Sequence, residues 1–74
     1  MIENINYEEY YILVGPMNEE GEKMYWNNNK GWVNDIHNSD KYGSKILNGM
    51  YPLGTVGYIM IYNRKKTYFN LLPR

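Results

Sequence analysis

The segment Asp35-Ile36-His37-Asn38-Ser39-Asp40 gathers the only histidine of the chain, two carboxylates and a hydroxyl. Such residues could serve general acid–base chemistry, nucleophilic chemistry or metal binding. Acid–base work needs His37 or a carboxylate with a shifted pKa, in a cleft beside a partner. A catalytic triad needs histidine between a nucleophile and an orienting acid, all converging in space. Side chains two positions apart in one loop rarely converge in that way. Closed metal sites need four or more protein groups or ordered waters, and Asp35, His37 and Asp40 offer three. The chain has no cysteine, which excludes a Cys-based zinc site and disulfide staples. Gly15 and Gly21 make no phosphate cradle, because no Gly-x-Gly pattern precedes a helix. The expectation is a polar loop with a solvated His37, in a chain with no enzyme signature, no metal and no cofactor.

Binding is better supplied. Residues 1–22 hold six acids and no Lys or Arg, whereas residues 23–74 hold eight bases and two acids, Asp35 and Asp40. Formal net charge is zero, yet the charges are segregated along the chain. Glu8, Glu9, Glu19, Glu20 and Glu22, with Tyr10 nearby, could form an acidic edge that meets a basic partner. Carboxylates so placed could stand where phosphates would sit in a nucleic-acid groove of a host enzyme. Charge complementarity would mainly speed encounter and select partners. A nucleic-acid or nucleotide site is the alternative. Arg64, Lys65 and Lys66 are basic, and Tyr62 and Tyr68 flank them as surfaces on which bases could stack. Zero net charge and the acidic first third weaken that option, because phosphate neutralisation supplies most of such affinity. A third possibility is a structural homo-oligomer formed by sheet edges or Tyr faces.

With 74 residues the chain is one domain, residues 1–74, and its core must be thin. Nine Tyr, two Trp and one Phe suit that demand, since aromatic side chains bury roughly 150–250 Å² each. Tyr also leaves a hydroxyl for water or a partner. Eleven residues are Asn and Lys outnumbers Arg, a bias expected from an AT-rich genome. No stretch approaches the ~20 apolar residues of a membrane span. The acidic start lacks the features of a signal peptide. A soluble protein of the cytoplasm is expected, with no membrane partner.

Turn signals recur at short intervals, which predicts several short strands. Residues 8–14 read as a strand ended by Gly15-Pro16. Asn18-Glu19-Glu20-Gly21 is a turn. Residues 23–26 form the next strand, Asn27–Gly31 a tight loop, and Trp32-Val33 a third strand, completing a meander. Trp26 and Trp32 then sit on consecutive strands, close enough to touch; they form the main core or leave one indole exposed as an interface anchor. Ser44 could cap a short helix over Lys45–Asn48, closed by Gly49. Residues 55–62 are apolar on both faces and read as a central, doubly covered strand. Asn63–Lys66 is a hairpin loop and Thr67–Leu72 its partner strand. The fold class is mainly β (α+β): about five antiparallel strands in a curved sheet or small open barrel, with one short helix.

The run Tyr10–Val14, Glu19-Glu20-Gly21, Tyr25-Trp26-Asn27, Gly31-Trp32-Val33 and Asp35 resembles a pattern common in small phage-encoded accessory proteins. It covers about a third of the chain. Such proteins carry an Ala-containing helix after the acid, where this chain has Ser39, Asp40 and Gly43. The resemblance implies a phage or mobile-element product that binds a host protein stoichiometrically, as anti-defence inhibitors such as anti-CRISPRs do. The implied partner is a nucleic-acid-binding enzyme or a defence complex of the host.

Overall fold

The computed structural model describes residues 9–49 and 51–71. Glu8 and the Leu72-Pro73 end of the last expected strand lie outside the described residues. Five antiparallel strands make one open sheet: β1 (Glu9–Gly15), β2 (Met24–Asn27), β3 (Gly31–Val33), β4 (Gly57–Tyr62) and β5 (Lys65–Asn70). Their spatial order is β3-β2-β1-β4-β5. The first three strands form the expected meander. The centre, however, is β1 rather than residues 55–62, because β4 joins the free side of β1 instead of extending the meander past β3.

Strand alternation divides the side chains between two faces. On one face Ile12, Val14, Ile59 and Ile61 form a buried cluster, with Tyr10, Tyr25, Ile36 and Val56 packed around it. This is the Ile12 face. The opposite, Leu13 face carries Tyr11 and Leu13, 5% and 1% exposed. Register explains both sets: Ile12 opposes Ile59 and Leu13 opposes Tyr58 across the β1–β4 ladder. β2 reaches only Val14 and Gly15 of β1. The first half of β1 is completed by Tyr42. Tyr11 N–H donates to the Tyr42 carbonyl (2.8 Å), and Tyr42 N–H donates back (2.9 Å).

Trp26 and Trp32 do oppose each other, with ring centroids 5.0 Å apart, edge to face. Both are only half-buried, so the aliphatics and Tyr11, not the indoles, are the main core. The expected helix is a 3-10 turn over Ser44–Asn48, closed by Gly49 at φ 91°. Gly43 takes the N-terminal position and Ser44 makes no cap hydrogen bond there. A second 3-10 turn, Ile36–Asn38, is capped by Asp35, whose carboxylate accepts from His37 N–H.

The β4–β5 loop is two residues, Asn63-Arg64, so Lys65 and Lys66 belong to the strand rather than to the loop. Both loop residues have positive φ, 51° and 68°. This is the type I′ geometry that continues strand twist and favours Asn-Gly. Asn tolerates it; Arg64 does not do so freely. Arg64→Gly is therefore expected to stabilise the fold by roughly 0.5–1 kcal/mol, read as a raised denaturant midpoint at unchanged slope. An unchanged or lowered midpoint would show that the turn carries no such strain.

Candidate functional site

The expected acidic edge is divided by the fold. Glu9 begins β1, while Glu19, Glu20 and Glu22 lie in the turn beyond its other end. Seven extended residues separate them by roughly 20 Å. At its end Glu9 opposes Tyr62, which opposes Lys65, so this carboxylate lies at the sheet end that carries Lys65 and not beside the other glutamates. Its Oε2 accepts the Tyr11 hydroxyl at 3.0 Å. Burial pushes the Tyr11 phenol above its ordinary pKa, and the Glu9 hydrogen bond and charge act in the same direction. Tyr10 points to the other face, with the Lys41 ammonium 5.7 Å from its ring centre. The local reason is simple: an antiparallel turn carries residues 18–22 away from the strand that precedes them.

That turn is built on Asn18. Its Oδ1 accepts from the N–H groups of Glu20 (3.0 Å) and Glu22 (2.9 Å). The amides of Asn18 (2.9 Å) and Asn34 (3.1 Å) donate to one Glu22 oxygen. Those two donors, Asn18 first, hold the Glu22 carboxyl below the usual glutamate range. A carboxyl depressed in the fold contributes stability above its unfolded pKa and loses it as pH falls through the folded one. The Glu22 titration midpoint, followed by NMR, is expected below that of an unstructured glutamate and to rise in Asn34→Ala. A midpoint in the ordinary range in both proteins would show the carboxylate is not held.

The basic set is also divided. Tyr62 and Lys65 share the Leu13 face, while Lys66 and Tyr68 project from the Ile12 face, with Arg64 at the turn. Tyr62 and Tyr68 thus cannot stack successive bases on one platform. Tyr68 instead leans over Gly57, with the Lys23 ammonium 5.3 Å from its ring centre. The polar loop is spent on the backbone: Asp35 caps His37, Asp40 accepts from Asn28 N–H (2.7 Å), and Ser39 donates to the Ile36 carbonyl (2.6 Å). Among the described residues no three of His, Asp and Glu converge as a metal site.

What the fold assembles is a surface that composition alone did not reveal. On the Leu13 face an aromatic ladder runs outward from buried Tyr11 to Tyr58 (5.7 Å, edge to face) and on to Phe69 (5.1 Å, stacked). Phe69 is 38% exposed and Tyr62, on the same face, 52%. Lys65 and Thr67 lie between them along β5, both exposed. The β4–β5 hairpin therefore presents Tyr62, Lys65, Thr67 and Phe69 to solvent as one strip. The two-residue turn fixes the pairing of Tyr62 with Lys65 and hence every face assignment beyond it, but no glycine marks that turn in the sequence. No helix among the described residues is long and apolar enough to cross a membrane. No protein-family model, curated protein or solved structure matches the chain.

Proposed function

We propose that the chain is a non-catalytic binding module whose working surface is the Tyr62–Lys65–Thr67–Phe69 strip of the β4–β5 hairpin. The reading follows the phage resemblance: a small accessory protein that occupies a surface of a host protein in the host cytoplasm and so inhibits it. The observation that carries it is the exposure of two large aromatics, Tyr62 and Phe69, on one face of the hairpin. Exposed large aromatics beside a cation are what interface centres are made of, since Tyr, Trp and Arg dominate binding hot spots. Lys65 and Arg64 favour a partner patch that is apolar at its centre and acidic at its rim. The Asn18 turn, with Glu19, Glu20 and Glu22, is a separate charged feature at the far end of β1 and would serve partner selection.

Paired capture from host lysate tests the reading, with the unmodified chain, Tyr62→Ser and Lys45→Ala as baits. A protein retained by the first and third, but at least about thirtyfold weaker on Tyr62→Ser, is the expected result, because a hot-spot aromatic is worth ~2 kcal/mol or more. Tyr62 is half-exposed, so its loss leaves the fold intact. Equal retention by all three baits, or no specific protein, would end the proposal. Retention of single-stranded nucleic acid instead, lost on rising salt and on joint change of Arg64, Lys65 and Lys66 to Ala, would establish the alternative.

A further inference from the structure

We infer that two copies of this chain join by pairing β5 with β5 of the second copy, in a register centred on Thr67, to make one continuous sheet. Among the described residues β5 has a strand neighbour on the β4 side alone. The two-residue turn makes Tyr62 and Lys65 a hydrogen-bonded pair, as tight hairpins require. Alternation then makes Met60–Thr67 and Tyr58–Phe69 hydrogen-bonded pairs as well. It follows that the main-chain N–H and C=O groups of Lys66 and Tyr68 point away from β4. A six-residue strand with no proline and an outward row of main-chain groups is a template for another strand. The other sheet edge, β3, has three residues, too few to make a comparable ladder.

Symmetry and charge select the occupant and the register. A two-fold axis normal to the sheet pairs only residues that share a face. Centred on Thr67, it sets Lys66 opposite the second copy's Tyr68 and Lys65 opposite the second copy's Phe69. Lys66–Tyr68 is then a hydrogen-bonded pair, which uses the outward main-chain groups. Both β5 lysines then stand opposite an aromatic residue of the second copy, a contact worth ~0.5–1 kcal/mol at an exposed site. Centred on Lys66, like charges would face each other, a destabilising arrangement. Centred on Tyr68, Lys65 would lose its aromatic partner. Lysines on an edge usually block pairing; here they restrict it to one alignment. The interface is isologous and closed, so it stops at two copies. Tyr62 stays clear of the seam, while Lys65, Thr67 and Phe69 lie along it, so the dimer joins the two docking strips into one surface with a Tyr62 on either side.

The test uses the absence of cysteine. Thr67 would oppose Thr67 of the second copy as a non-hydrogen-bonded pair, with Cα atoms about 4.5 Å apart, within disulfide range. Thr67→Cys and Lys66→Cys are oxidised in parallel, and the unmodified chain is sized by light scattering. The expected results are a dimer mass, and a Thr67→Cys cross-link forming at least about tenfold faster than Lys66→Cys, since pairing raises local concentration to the ~mM range. A monomer mass at roughly millimolar chain, or equal rates for the two cysteines, overturns the inference. Either result leaves capture by the Tyr62 strip to be judged by its own assay.

Discussion

Leu13→Ala is expected to lower the melting temperature by roughly 10–40 °C. Leu13 is 1% exposed, the most completely buried large side chain among the described residues. It lies in the central strand, opposite Tyr58, beneath the aromatic ladder. Truncation removes its transfer free energy and leaves a cavity that the rigid sheet backbone cannot close. Such substitutions cost about 2.7–5 kcal/mol. A domain of this size has a total stability of about 4–11 kcal/mol, and each kcal/mol shifts its melting point by about 4–8 °C. A thermal melt followed by circular dichroism measures this directly. A loss below about 1 kcal/mol would mean that the Leu13 face is not the packed interior described above.

Gly57→Ala is the second large effect. A Cβ at this position would lie 2.5 Å from the Phe69 carbonyl oxygen and 2.5 Å from the Tyr68 hydroxyl. The ring can swing aside, but the carbonyl is main chain in the neighbouring strand. β5 must therefore shift away from β4, at a cost of about 1–3 kcal/mol or more. The double change Gly57→Ala with Tyr68→Ala separates the two obstacles. It is expected to recover only part of the loss, because the carbonyl remains. Full recovery in urea titration would show that the ring alone excludes a side chain there. The same shift would spoil the β5 edge, so Gly57→Ala is also expected to weaken Thr67→Cys cross-linking.

Local composition made the strands legible. Tyr11–Val14 and Ile59–Tyr62 are β-branched and aromatic, and both lie within strands. The Trp26–Trp32 contact was legible because a short Asn-Gly loop leaves few alternatives. The pairing of β1 with β4 was not, because no local signal says which distant strand will fill the free side of β1. That one pairing moved the centre of the sheet and brought Glu9 to the basic end. Lys65 and Lys66 read as loop because charge mimics a turn; the turn proved to be Asn63-Arg64, without the glycine such a geometry usually announces. Ser44 offered a cap that the backbone did not take up. The asparagines at the expected turns do more than tolerate turn geometry. Asn18 shapes the acidic turn. Asn27 accepts from the N–H groups of Asn29 and Lys30 and donates to the Asn38 carbonyl. Asn28 accepts from the Trp26 indole and the Tyr42 hydroxyl. Several strands and turns could be read, then, while the site could not, because the docking strip exists only once the hairpin register sets Tyr62, Lys65, Thr67 and Phe69 on one face.

The β1–β4 ladder joins Val14 to Gly57 and Glu9 to Tyr62, partners 43 and 53 positions apart along the chain. Ribosomal synthesis therefore delivers β1 long before its principal neighbour exists. Until residue 62 has cleared the exit tunnel, Ile12 and Leu13 have only a partial shelter, and closing so wide a loop is the slow part of assembly. Burial of β1 therefore waits for residues 57–62, and a chain cut before Gly57 is expected to remain unfolded and readily degraded.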